Sequence, residues 1–334
     1  MIQEQGSFAV GGSVTTAPGT FDPIRQGAYN PAGTDPAGQT LHGDHAYVFY
    51  QVPVNARNFP LVFWHGHGES GKTWETTPDG REGFQNIFLR RRFPVYLIDQ
   101  PQRGRASRGT QPITITASPD EQLWFGIFRL GAWPDFYEGV QFARPGGAQP
   151  VLPADGPQHR SGRRAGEYGC CFGAIRQDCA GHSGHPLAER PAGLAHGHQE
   201  QKYPGRRLLR VGLRLSFPRG GEAPPPMTLG GRALSAITVS QAEFMPLKKI
   251  PIVIYYGDNI PEKPSVNPGQ EQWRIFLEMA RRWRDVVNSR GGNVTLVHLP
   301  EIGIRGNTHF PMSDMNNVQV ADQLSKFLSE KKLD

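Results

Sequence analysis

Short apolar runs without polar alternation punctuate this chain, and amphipathic stretches lie between them. Pro60 to Trp64 (PLVFW), Phe93 to Asp99 (FPVYLID), Lys249 to Asp258 (KIPIVIYYGD) and Val294 to Leu299 (VTLVHL) are runs of this kind. Continuous apolar runs of that length suit strands buried on both faces of a parallel sheet. A helix is expected after Arg81, through about Arg92. From Glu271 to Asn288 the apolar residues Trp273, Phe276, Leu277, Ala280, Trp283 and Val287 recur at helical spacing. Ser289-Arg290-Gly291-Gly292 then supplies a C-terminal glycine stop. A last helix is expected from about Asn317 to Glu330. Near the start, residues 7 to 12 and 45 to 52 are rich in β-branched or aromatic residues and read as strands. The Pro-, Gly-, Thr- and Asp-rich stretch from Thr15 to Gly43 reads as loop. Strands alternating with helices across short turns predict an α/β class, a doubly wound and mostly parallel sheet. The expected organisation is an N-terminal strand and loop region over 1–44 and a single α/β domain over 45–334.

The pattern fails between residues 145 and 220. No apolar run of four or more leads into a candidate site there, and this segment is expected to be irregular. It also carries the oddities of composition. The chain has 334 residues, 41 Gly, 30 Pro, 37% hydrophobic residues and a net charge of +6. Residues 145–220 hold ten Arg and one Lys against five Asp or Glu, so the whole excess is theirs. All three cysteines (Cys170, Cys171, Cys179) and five of the eleven histidines fall there too. Their spacing matches no structural zinc pattern, and no metal is expected. A basic block invites a nucleic-acid reading, but single-strand binders interleave aromatics with the cations. This block has only Tyr168, Phe172, Tyr203 and Phe217, and no nucleic-acid partner is expected. No run is long and apolar enough to cross a membrane. The first residues lack the basic and apolar regions of a leader, which leaves the compartment unknown and cytoplasmic by default.

Candidate chemistry sits just past the apolar runs. His65-Gly66-His67-Gly68-Glu69-Ser70-Gly71 follows the first of them. It reads either as a glycine-rich turn or as a loop presenting backbone N–H groups to an oxyanion. Asp99 ends the next run, and Arg103-Gly104-Arg105 follows, a solvated loop or a contact for an acidic substrate. The aromatic stretch 121–142 reads as core packing or as part of a small cap. His298 lies inside the last strand and reads as structural. His309, in the loop before the last helix, occupies the place of a general base that comes last in the chain. Gly181-His182-Ser183-Gly184 offers a nucleophile only superficially. The second glycine of a G-x-S-x-G elbow is replaced by His185, and no buried strand precedes it. Ser183 is therefore not expected to be the nucleophile.

The 145–220 block reads as a translation in a shifted frame. A shift of one nucleotide permits Val-Thr-His-Ser-Gln-Ser-Gly from Gly184 to Pro191. It also permits a helix and a buried strand from Cys170 to Gly184, and a strand ending in a carboxylate, Arg-Ala-Val-Val-Ser-Tyr-Glu, from Pro204 to Val211. Frame is lost near Arg144-Pro145 and regained near Gly220-Gly221 on this reading, and the one shift removes the charge, cysteine and glycine excess together.

With these residues in place the chain resembles bacterial α/β-hydrolase-fold carboxylesterases of the His-Ser-Gln-Ser-Gly elbow type. The resemblance rests on Tyr50-Gln51-Val52-Pro53-Val54, His65-Gly66 with Gly71, Thr73 to Arg81 (TWETTPDGR), Ile98-Asp99-Gln100 with Arg103-Gly104-Arg105, Gly306-Asn307 with His309, and Met315 to Asp322. It covers about 45–143 and 222–334. It implies an α/β-hydrolase fold with a small cap, and a serine esterase acting through an acyl-enzyme on a small-molecule ester, without a cofactor. It makes His309 the general base and the His67 backbone N–H an oxyanion donor. The nucleophile codon would straddle Leu187-Ala188 and the acid codon Arg210-Val211, so the chain as written is expected to be inactive. Asp258 is a fallback acid. A non-catalytic or pseudogene-derived hydrolase scaffold is the rival reading. The oligomeric state is not legible.

Overall fold

The computed structural model describes residues 1–29, 33, 35–66, 68–106, 108–111, 119–143, 171–174, 215–221, 223–229 and 232–334. In chain order the strands are β1 (Ile2–Thr16), β2 (Thr40–Pro53), β3 (Leu61–Trp64), β4 (Val95–Asp99), β5 (Gly131–Ala132), β6 (Asp135–Phe136), β7 (Cys171–Ala174), β8 (Ser216–Pro218), β9 (Met227–Leu229), β10 (Arg232–Leu234), β11 (Ile237–Val239), β12 (Pro251–Tyr256) and β13 (Asn293–His298). The helices are α1 (Pro23–Gln26), α2 (Phe84–Arg90), α3 (Glu121–Ile127), α4 (Gln241–Phe244), α5 (Pro268–Ser289) and α6 (Asn317–Glu330).

Among the described residues the ladders are mixed, where a mostly parallel sheet was expected. One sheet runs in the order β1-β2-β4-β3-β7. Within it only β3 and β4 are parallel. β1 and β2 form a long antiparallel hairpin with Ile2 opposite Pro53 and Thr16 opposite Thr40. β2 joins β4, and β7 joins β3, in antiparallel register. A parallel pair, β12 and β13, stands separately. The early strands exceed the expected 7–12 and 45–52 because hairpin pairing lets polar, solvent-facing residues extend a ladder that composition alone would end. β2 runs through residue 44, so the expected boundary falls inside a strand. In the segment expected to be irregular, β7 and β8 are strands.

Two helical layers flank these strands. β12 shows why: Val253 and Tyr255 pack against one apolar cluster, while Ile252, Ile254 and Tyr256 pack into a second. Successive side chains of a strand point to opposite faces, so both faces of β12 are covered. The first cluster holds Phe84, Ile87 and Phe88 of α2, Leu61 and Phe63 of β3, and Val320, Leu324 and Leu328 of α6. The second holds the α5 stripe. All six α5 positions picked out by helical spacing are buried. Asn267 caps that helix by accepting from the Gly269 and Gln270 N–H groups, Pro268 stands in the first turn, and Gly291 follows the end with φ +81°. Proline early and glycine after the last turn are the residues those positions favour. Among the described residues no ladder joins β3 to β12, although the first cluster draws on both strands.

The Trp-Glu-Thr-Thr-Pro-Asp-Gly-Arg run ties the first layer together. Trp74 is fully buried and stacks on Phe63 at 4.9 Å between ring centroids. Arg81 donates to the Met315 carbonyl at 3.1 Å and to Asn317 Oδ1 at 3.2 Å, fixing the entry to α6. The aromatic stretch 121–142 builds a satellite cluster of Phe125, Leu130, Val140 and Phe142, with Trp124, Phe128, Phe136 and Tyr137 against it.

Candidate active site

The C-terminal ends of parallel strands are where open α/β sheets gather their chemistry. Past β3 and β4, the loop after β3 is held by buried polar contacts. His65 Nε2 accepts from the Gln100 N–H at 3.1 Å, while its Nδ1 lies 2.8 Å from the Gly66 carbonyl. Nδ1 therefore carries the proton, and burial lowers the pKa, with the nearby Arg103 charge adding to that. The Gly66 N–H is committed to Glu69 Oε2 at 2.8 Å. Asp99 is fully buried; its carboxylate accepts from the Gly71 N–H and from the Arg105 N–H and Nε–H, the last two at 2.9 Å. Gly104 has φ +46°, and a Cβ there would lie 2.6 Å from the Asp99 carboxyl. The Arg103-Gly104-Arg105 loop is thus built around Asp99, and Arg105 also lies over the Tyr47 ring at 4.9 Å. The expected oxyanion donor, the N–H of His67, lies outside the described residues.

Past β12 and β13, the loop from Gly303 to Asn316 presents His309. Asp314 is buried and organises it, accepting from Asn307 Nδ2 at 3.0 Å and from the Thr308 N–H and hydroxyl at 2.8 Å each. Burial nevertheless raises the Asp314 pKa to about 6, because desolvation outweighs those donors and the neighbouring Arg129 charge. His309 itself is fixed by aromatics. Its N–H donates to the Phe128 carbonyl at 3.0 Å, and its ring stacks on Phe128 at 5.3 Å and 6°. Trp273 at 4.9 Å and Phe310 at 4.9 Å complete the surround. Trp124 stacks on Phe128 in turn, at 5.2 Å. Burial, followed by the Arg129 charge, lowers the His309 pKa to about 3.

Among the described residues no side chain hydrogen-bonds to the His309 imidazole. The fallback acid does not reach it: Asp258 Oδ2 accepts from the Gly306 N–H at 2.7 Å and Oδ1 from the Asn259 N–H at 2.8 Å. Asp258 holds the loop that carries His309, because a carboxylate at a strand end is well placed to collect the free N–H groups of the next loop. His298 faces Glu301 at 3.3 Å. Ser183 and the stretches around Leu187-Ala188 and Arg210-Val211 lie outside the described residues. Among the described residues no cluster of three or more His, Cys, Asp or Glu is arranged to hold a metal, and no helix is long and apolar enough to cross a membrane.

Arg129 and Asp314 escaped the sequence reading. Arg129 is 2% exposed and has φ +60°. Its Nε donates to the Asp258 carbonyl at 2.9 Å and its Nη2 to the Thr308 carbonyl at 2.8 Å. A lone arginine inside an apolar, aromatic stretch was the available signal. Asp314 had none, since one aspartate in a polar loop is unremarked until its partners are known.

No family model matches the chain. It is similar to "Probable secreted lipase phiG" of a Fungal sp. (strain ATCC 74256), with 25% identity over 324 residues, covering 85% of this chain and 86% of that protein. It is also similar to a bacterial esterase of solved structure, with 25% identity and a TM-score of 0.60, covering 99% of this chain and 96% of that one.

Proposed function

We propose that this chain derives from a carboxylic ester hydrolase of the α/β-hydrolase kind, working through a serine acyl-enzyme. One observation supports this above the rest: a histidine in the loop after the last strand, walled by Phe128, Trp273 and Phe310 and fixed through its backbone. The likeness to a lipase and to an esterase over most of the chain supports the same chemistry.

In the proposed reaction a serine attacks the ester carbonyl, His309 takes its proton and returns it to the leaving alcohol, and a carboxylate orients His309. The His67 N–H and a second backbone N–H next to the serine hold the oxyanion. Water then releases the acid by the same route. Serine and carboxylate belong to residues 145–220 read in the shifted frame, as the His-Ser-Gln-Ser-Gly elbow and the Glu after the next strand. The chain as written is accordingly inactive. An imidazole with a pKa of about 3 and, among the described residues, no acid bonded to it is a poor base, which favours a non-catalytic scaffold for this literal sequence.

The coding DNA over codons 140–225 tests the frame directly: it either contains the elbow one nucleotide out of phase or does not. A chain with 145–220 encoded in that phase, the frame-restored chain, is expected to hydrolyse short aryl esters. Absence of turnover in a folded frame-restored chain would refute the proposal.

A further inference from the structure

Arg129 is a buried cation that forms no ion pair among the described residues. Two corners of its guanidinium are spent on carbonyls, one at the end of β12 (Asp258) and one in the His309 loop (Thr308). The third, Nη1, is buried and has no hydrogen-bond partner. The face of the group lies 4.3 Å above the Trp273 ring, which also contacts His309. Charged and titratable groups around it are Asp314, Tyr256, Asp258, Tyr137 and His309. Both oxygens of each aspartate are occupied elsewhere, by the Asn307 and Thr308 donors and by the Gly306 and Asn259 N–H groups. A charge taken out of water is costly unless it is paired and its donors are used, so a buried guanidinium with an idle N–H marks the place of an absent anion.

The topology says which anion. Arg129 packs against the last turn of β12, where a Cβ on Gly257 would lie 2.9 Å from its Nη2. Among the described residues β12 pairs with β13 alone, on one edge. A strand added on the other edge would end about 4.8 Å from Gly257, within reach of Arg129 for a side chain at its tip. Guanidinium matches carboxylate geometry two bonds at a time.

We infer that the Arg129 corner is the seat of a carboxylate, held between the idle Nη1–H and the His309 imidazole, and that its resident is the acid that orients the base. The resident, though not the seat, rests on the ester-hydrolase reading. Arg129 is on this account a positioning residue: it fixes the acid, and the acid both aligns His309 and offsets the positive charge that now opposes its protonation.

The test uses the full-length chain as written, with labelled histidine, and acetate as the probe. The His309 imidazole signal, assigned by its loss in His309→Gln, is followed near pH ~6, where acetate is ionised, with chloride holding ionic strength constant. Acetate is expected to shift the signal saturably and to raise the His309 pKa toward the ordinary histidine value. Arg129→Met should weaken acetate at least tenfold, and Arg129→Lys, which keeps the charge, should retain a weaker response. No saturable shift, or an equal shift in Arg129→Met, overturns the seat. If Arg129→Met fails to fold, an Arg129→Lys response as strong as the parent's overturns it instead. In the frame-restored chain the response should vanish because the seat is filled. An undiminished response there overturns the resident and assigns the seat to a free acid such as the reaction product. Persistent esterase activity in His309→Ala would sink the hydrolase reading without touching the acetate result.

Discussion

The His309 imidazole lies flat against the Phe128 ring, 5.3 Å between centroids and 6° from parallel, while the His309 N–H bonds to the Phe128 carbonyl. One residue thus fixes both the backbone and the ring plane of His309. Phe128→Ala removes the ring and keeps the carbonyl. In the frame-restored chain it is expected to lower kcat about 100-fold, the cost of a base misplaced by about an ångström, with a loss of about 2 kcal/mol in stability. Steady-state kinetics and urea melts of the variant check both. Unchanged kcat would mean that the stack does not align the base.

Gly257 governs the same loop from the strand side. A Cβ there would lie 2.4 Å from the Thr308 carbonyl and 2.5 Å from the Asn307 carbonyl, both backbone atoms that cannot rotate away. Gly257→Ala should cost about 1–3 kcal/mol as an overpacked contact. It should also shift the His309 NMR signal.

Asp314 is the polar keystone of the loop. Asp314→Ala leaves one of the two Asn307 amide N–H groups, and the Thr308 N–H and hydroxyl, without their acceptor in a buried place. At about 1–3 kcal/mol for each buried donor left unpaired, with relaxation recovering part, a loss of about 3 kcal/mol is expected in denaturant melts. Asp314→Asn keeps one acceptor oxygen and should cost less.

Acid stability follows from the signs of three shifts. His65 and His309 are held neutral, His309 down to about 3, so the unfolded chain binds protons first as pH falls below the ordinary histidine value of 6.5. Stability contributed by their neutral forms is complete above that pH and is lost on acidification toward the folded values. Asp314, raised from 3.8 to about 6, has the opposite sign: the folded state binds its proton first, and stability is gained as pH falls through that window. Two histidines outweigh one aspartate, so the melting temperature should drop between pH 6.5 and 4. His309→Gln should flatten the drop and Asp314→Asn should steepen it. Melts at a series of pH values decide, and a flat profile for the parent chain would contradict the burial of both rings.

Most of the flanking architecture was legible because it is encoded locally. The α5 stripe and its Gly291 stop are written in consecutive residues, and α6 begins and ends at the expected Asn317 and Glu330. β3, β4, β12 and β13 announced themselves as apolar runs because both of their faces are covered. Strand direction was not legible. The antiparallel β1–β2 hairpin depends on pairing partners 24 residues apart at its closed end (Thr16 opposite Thr40) and 51 at its open end (Ile2 opposite Pro53), and its polar ends carry no signal of their own. At the candidate site His309 could be found from its position in chain order. Its environment could not: Phe128, Arg129 and Trp273 come from α3's end and from α5, and only packing unites them. Asp258 looked like an acid from its place after a strand, yet backbone N–H groups had already claimed it.

The central claim is that His309 is the general base of an ester hydrolase whose remaining triad is written out of phase. The most direct measurement is turnover of a short aryl ester by the frame-restored chain, with and without His309→Ala. The account predicts turnover in the parent and a loss of at least about 1,000-fold in the variant, with the fold kept by circular dichroism. Equal turnover in the two proteins would contradict it.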